Sequence, residues 1–561
     1  MKRVVLLCVA CLLLGSGAAY SGTLYAVSDD SDQLYRIDID SEVTTLVGWT
    51  VVDISYSGLA WDGAHGMLWV SDAWTETPAY GLGMVNEVNG EVLTIGDHGA
   101  IGAPDPEDII NVMGLAWDPT WDAPTLTPGG RLWGADFDRG GLSYLIRTVA
   151  EDWTPPLPDQ VDEDWPFIGN AIFVGPWGST DNIRGLAYHT GSDTLFGMDD
   201  INLYTIDRAT GAATMVGAHG LTTGPAYIGL EYDSDSGVMY AAGGGNDLLY
   251  TVDLLTGAAT PLFATGITNL SGLAYVPDAI GPLFVSDDAS DNIYTVGELT
   301  GQVTLVGPAL TDLSYTGMAF NSATEDLFLQ GAQGMTPGHM LGLVDQLTGE
   351  VTVIGEEYEN DFPIAGLAWD STRSILWGAD SERNALVEVD PVTGETTFFG
   401  CFDQVDLGTP PVPCTDLPNT NLNICGLAYN QVTDTLFGIS HEYLYEILLV
   451  DDPIRVVYAG SAIKTPLSDL PVGVPDGLVA DLGDPEEAHI GLAWVEGSGR
   501  LQATGSANGG LFIVNQVSGN ATAVGYTGLT QPGGLSVGRQ SAIFGDGFED
   551  GNLFGWDEVS P

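Results

Sequence analysis

Gly185-Leu186-Ala187-Tyr188 opens the stretch that decides the fold. A polar turn, His189 to Asp193, leads to Thr194-Leu195-Phe196-Gly197-Met198. Asp199-Asp200 turns the chain into Leu203-Tyr204-Thr205-Ile206-Asp207. Arg208-Ala209-Thr210-Gly211 then turns it into Ala213-Thr214-Met215-Val216-Gly217. Four short apolar or alternating runs, parted by Gly, Asp, Asn and Thr, predict a four-stranded antiparallel meander. In the turn Asp207-x-x-Thr210-Gly211 the Asp side chain caps its own turn and the Gly takes the positive-φ position. The same turn recurs at Asp253, Asp345 and Asp390.

The opening phrase is Gly, then Leu or Met, then a small or acidic residue, then an aromatic. It stands at Gly58, Gly114, Gly185, Gly229, Gly272, Gly317, Gly366, Gly426 and Gly491, with a degenerate copy at Gly534-Leu535-Ser536-Val537. The successive spacings are 56, 71, 44, 43, 45, 49, 60, 65 and 43 residues, a unit of about 43 with insertions. Tandem four-stranded units of this length predict an all-β fold, a β-propeller of ten repeats over residues 22–540. The units resemble those of secreted bacterial propellers of the YVTN, NHL and quinoprotein-like kinds, which share phrases such as Leu-Tyr-x-Ile-Asp-x-x-Thr-Gly. The resemblance covers roughly Thr23 to Val537 and implies a fold and a binding habit. The Asp-x-x-Thr-Gly turns lack the docking Trp of the quinoprotein motif, so it does not carry quinone chemistry over.

A longer correspondence lies above the repeat. Ser31 to Gly48 aligns with Ser290 to Gly307 without a gap, and Ser55-Tyr56-Ser57-Gly58 with Ser314-Tyr315-Thr316-Gly317, both at an offset of 259 (290 − 31 and 314 − 55). Five units duplicated to ten account for this, with halves of approximately 22–276 and 277–540. Two closures follow. In a single ten-bladed ring, Gly534-Leu535-Ser536-Val537 pairs near Leu24-Tyr25-Ala26-Val27. In two five-bladed rings, Gly272-Leu273-Ala274-Tyr275 pairs there instead. The junction Val276 to Pro282 has the length of an ordinary hairpin and no Pro/Ser-rich linker, which favours the single large ring.

The chain has 561 residues, 76 Asp+Glu against 14 Lys+Arg, and a formal net charge of −62. Such a surface excludes binding to a phosphate backbone by counterion release, so no nucleic-acid partner is expected. With 44% hydrophobic residues it is not a disordered acidic tail either. Met1-Lys2-Arg3, the apolar Val4 to Leu14 and the small residues Gly15 to Ala19 read as a signal peptide over residues 1–21. The expected location is therefore secreted, periplasmic or cell-surface, and no stretch has the length of a transmembrane helix. Loss of Lys2 and Arg3 leaves 12 bases and a balance of −64 (12 − 76). Cys401 and Cys414 flank a Pro-rich loop and suit a disulfide, while Cys425 reads as a buried thiol, the alternative being that it pairs with one of the other two and leaves the third free.

Candidate functional residues sit in turns and insertions. Trp153 and Trp165 stand beside carboxylates in the insertion Glu151 to Pro166, where Trp stacks a sugar and acids bind its hydroxyls; the alternative is a Trp packing the loop onto the rim. The acidic hairpin Asp29, Asp30 and Asp32, with its duplicate Asp287, Asp288 and Asp291, has the oxygens that Ca²⁺ takes, although Asp and Ser are also plain turn formers. Seven scattered His form no metal spacing, and no nucleophile motif is present. Residues 541–561 leave the repeat and end in a Gly-Phe-Glu-rich tail suited to sorting or surface attachment. The function expected is non-enzymatic binding of an extracellular glycan, protein or surface. The alternative is a polysaccharide hydrolase or lyase acting through rim carboxylates, with or without calcium.

Overall fold

The computed structural model describes residues 22–538 apart from 29, 51–57, 73–80, 98–99, 102–110, 122–129, 146–170, 179, 181–182, 222–227, 244–245, 278–280, 334–338, 355–363, 381–382, 403–423, 441–442, 450–454, 462–489, 506–508, 517–518 and 520. The signal segment, the insertion with Trp153 and Trp165, Cys414 and the tail lie outside these residues. Each repeated phrase begins or lies within the inner strand of a sheet, and for eight of the ten phrases the next three runs pair outward from it in antiparallel register; the phrases at Gly272 and Gly534 instead complete the sheets that begin at Thr23 and Leu283. In the quoted repeat, Gly185–His189 pairs with Thr194–Met198, which pairs with Asn202–Ile206, which pairs with Ala213–Ala218. Among the described residues ten sheets form, nine of four strands and one of five. The extra strand, Ala100–Ile101, runs parallel to Ala171–Pro176.

The repeated turn behaves as its residues predict. Asp207 Oδ1 accepts the N–H groups of Ala209 and Thr210 at 2.9 Å each, and Gly211 has φ +77°. Asp253, Asp345 and Asp390 repeat these bonds. The Gly of the opening phrase has a different cause. A Cβ on Gly114 would lie 2.3 Å from the carbonyl oxygen of Arg184, the residue just before the neighbouring inner strand. Inner strands of adjacent sheets thus meet backbone to backbone, and any side chain there would push them apart.

Between neighbouring sheets lie the cores. One joins Met67, Trp69, Leu82 and Met84 to Val112, Leu115, Leu132 and Leu145 of the next sheet. Trp69, Trp133 and Trp377, all from second strands, are among the largest fully buried side chains. Truncating such a Trp to Ala costs about 3–5 kcal/mol.

Strand pairing differs from the favoured single ring. Thr23–Ser28 pairs with Leu270–Val276, register Leu24↔Tyr275, and Gly22 N–H donates to Tyr275 Oη at 3.0 Å. At the other end, Leu283–Asp287 pairs with Pro532–Val537, register Phe284↔Ser536. The pairing of Gly534–Val537 with Leu24–Val27, which one ten-sheet ring requires, is therefore not made. Each half supplies the partner of its own first strand. The packing of inner strands follows the same division. Leu270–Val276, Leu59–Asp62, Val112–Asp118, Gly185–His189 and Ile228–Asp233 touch in that order, and the last touches the first. Pro532–Val537, Asp312–Asn321, Ile364–Asp370, Gly426–Asn430 and Leu492–Val495 do likewise. A junction of hairpin length, Val276 to Pro282, is compatible with either closure, because a short link also suffices to step from one half to the other.

Cys401 is disulfide-bonded. Cys425 remains a buried thiol, its pKa pushed up to about 12 by burial.

Candidate functional site

The acidic hairpins are built by the same turn chemistry as the rest of the fold. Asp287 Oδ1 accepts the N–H of Gln531 at 2.8 Å, and its other oxygen accepts the hydroxyl of Ser290 at 2.6 Å. Asp291 sits at φ +52° and accepts the N–H of Leu313 at 2.7 Å. Asp287 thus ties the closing strand to its partner, and Asp291 ties one sheet to the next. Asp288 donates its N–H to the carbonyl of Gln531. In the first half Asp30 is exposed, Asp32 has φ +50° and Asp29 lies outside the described residues. Among the described residues no three His, Cys, Asp or Glu side chains gather as a metal cluster. Trp153 and Trp165 lie outside the described residues.

A second constellation went unread in the sequence. Where the second strand carries Trp, the inner strand ends in a fully buried Asp that accepts the indole N–H. Trp133 donates to Asp118 at 3.1 Å and Trp377 to Asp370 at 3.2 Å, with a longer contact of 3.5 Å from Trp69 to Asp62. A basic side chain faces each carboxylate. His65 Nδ1 lies 2.9 Å from Asp62, Arg373 Nη1 lies 2.8 Å from Asp370, and Arg208 pairs with Asp118. The signal was present as Gly-Leu-Ala-Trp-Asp followed by Leu-Trp at Gly58, Gly114 and Gly366. Only the fold shows that the two Trp have different fates.

Two of these pairs extend into duplicated networks that bridge neighbouring sheets. Tyr188 Oη lies 2.5 Å from Asp193 and 2.6 Å from Thr120, and Arg208 joins Asp193 at 2.6 Å. In the second half, Tyr429 Oη lies 2.6 Å from Asp434 and 2.7 Å from Thr372, and Arg373 joins Asp434 at 2.6 Å. The Asp, Thr and Tyr positions correspond, but the Arg comes from a different turn in each half. Burial and the adjoining Asp193 push the Tyr188 phenol up to about 12. Tyr188 and Arg208 hold Asp193 below the usual carboxylate range, and Arg373 does the same for Asp434. Beside the first network, the Arg131 guanidinium lies 4.0 Å from the Tyr144 ring centre and 5.4 Å from that of Trp121, a cation stacked on aromatic faces.

The second half also carries an opening at the turn end of its inner strands. All five inner strands contribute to its wall, and its cavity volume is about 60 Å³, a shallow opening rather than an enclosed pocket. Phe320, Trp369, Tyr429 and Trp494, the aromatics of four repeated phrases, line it. Ser322, Ser371, Gln431 and Glu496 supply polar groups one turn further on, and Ser371 donates to Gln431 Oε1 at 3.1 Å. Half-buried Phe320 and Trp369 give apolar faces beside these donors and acceptors. The opening thus sets apolar faces and polar groups side by side at the surface.

No protein-family model and no curated protein matches the chain. Among solved structures, it is similar to the extracellular domain of a putative one component system from B. thetaiotaomicron, at 11% identity and a TM-score of 0.22, over 90% of this chain and 70% of that one. The extracellular domain of a putative hybrid two component system from the same bacterium gives 11% and 0.22, over 91% and 71%. A chain of the Mitotic Checkpoint Complex gives 12% and 0.22, over 64% and 84%.

Proposed function

We propose that the chain is a pair of five-bladed propellers, exported from the cell, that binds an extracellular glycan at the opening of its second half. One observation carries the reading: five inner strands converge on a cavity where aromatic faces and polar groups lie side by side. A pyranose ring has the same two characters, an apolar C–H face and a rim of hydroxyls. Trp369 and Phe320 would take the face, and Ser322, Ser371, Gln431 and Glu496 the hydroxyls. Two separate closing pairs, Leu24 with Tyr275 and Phe284 with Ser536, support the two halves. Export rests on the N-terminal sequence alone.

The test is binding of the mature protein to a broad array of polysaccharides, followed by calorimetry on the best hit. Trp369→Ala is expected to weaken binding at least tenfold while circular dichroism is unchanged. An array without hits, or affinity unaltered in Trp369→Ala, would sink the proposal. New reducing ends or unsaturated products in the same samples would move the reading to the polysaccharide hydrolase or lyase.

A further inference from the structure

A buried ion triad joins the two halves. Arg500, 2% exposed, extends from the second half and donates from Nε to Glu87 Oε1 of the first half at 2.7 Å. Its Nη2 donates to the other oxygen of Glu87, making a bidentate pair. Nη1 donates at 2.7 Å to Glu298, which belongs to the second half and also accepts the Ser498 hydroxyl. The guanidinium lies 5.5 Å from the ring centre of Trp61, again in the first half. One cation thus answers two carboxylates, one from each half, with little access to water.

Backbone geometry around the triad points the same way. A Cβ on Gly66 would stand 2.2 Å from Gly499 O, and one on Gly499 would stand 2.1 Å from Gly63 O. The halves meet there main chain against main chain, which only glycine permits. Gln516 Nε2 donates to His65 O at 2.6 Å across the same boundary.

We propose that this surface, centred on Arg500, Glu87 and Glu298, is a permanent interface that holds the two halves as one rigid body without help from the covalent junction. A guanidinium stripped of water is stable only while both carboxylates face it. Separation would leave Arg500 with Glu298 alone and would open the Gly66–Gly499 contact. The proposal is independent of any ligand.

The test uses the full chain with a protease site placed within residues 278–280 and cut after folding. The two fragments are expected to co-elute in size-exclusion chromatography at micromolar concentration. Arg500→Glu is expected to weaken their association by about 100-fold or more. The charge swap combining Glu87→Arg with Arg500→Glu restores one cation between two anions and is expected to recover co-elution. Separation of the nicked wild-type fragments would overturn the proposal, as would unchanged co-elution in Arg500→Glu. Should Arg500→Glu fail to fold, Glu87→Arg, which alters only a turn of the first half, replaces it under the same criteria.

Discussion

Single residues carry more of this fold than their exposure suggests. Asp370 has no exposed side-chain surface, yet it accepts from Trp377 and pairs with Arg373, so its burial is matched on both sides. Asp370→Ala removes the acceptor of Trp377 and leaves Arg373 with Asp434 alone, and is expected to cost about 2 kcal/mol; Asp370→Asn, which keeps a hydrogen-bond acceptor, should cost less. Urea midpoints of the two variants check this order. The turn carboxylates predict the response to acid. Backbone N–H bonds hold Asp207, Asp253, Asp345 and Asp390 below their ordinary values. A depressed folded pKa gives stability that is present above the unfolded value, about 3.9, and is lost as pH falls through the lower folded value. Replacing all four by Asn should flatten the pH dependence of stability below about pH 4, read by thermal melts. Glu231 works in the opposite sense, since burial pushes its carboxyl well above the usual range. Its folded form favours the proton, so it lowers stability as pH rises above the unfolded value. Glu231→Gln is expected to raise the melting temperature at pH 7 and to leave it little changed at pH 4.

At the scale of strands and sheets, the inner strand is where sequence and packing meet. Its Gly is a contact requirement. Gly114→Ala puts a methyl 2.3 Å from Arg184 O, against rigid backbone on both sides. The expected loss is about 3 kcal/mol or more, with loss of soluble protein if the halves cannot close, measured by denaturant unfolding of the purified variant. The four-stranded unit itself was legible because its signals are local. Alternation, turn residues and the Asp-x-x-Thr-Gly cap all act within about five residues of one another. The Asp118–Trp133 and Asp370–Trp377 pairs were present in the repeat but not recognisable as pairs. Trp117 and Trp133 look alike in the sequence, and only the sheet shows that Trp133 is fully buried and donates to Asp118.

For the whole molecule, charge and closure dominate. With a net charge of −62, self-repulsion opposes compaction, and screening relieves it. Raising NaCl from 10 to 150 mM is expected to increase the melting temperature by a few degrees, followed by differential scanning calorimetry. A melting temperature that falls over this range would show that the interhalf ion triad and the surface pairs outweigh the repulsion.

The sequence by itself determined the unit, its copy number, its turns and the internal duplication, because each is written in residues near one another. It also exposed the five-plus-five relation through the offset of 259 between Ser31 and Ser290. Tertiary structure alone decided which strand meets Leu24 to Val27. Tyr275 and Val537 close equivalent phrases on inner strands, and both offer the same backbone groups to a first strand. The choice depends on how many inner strands fit around an axis, a property of packing that no single repeat contains. Arg500 shows the same limit. Its two carboxylates lie 413 and 202 residues away, and no local pattern announces a contact at that range.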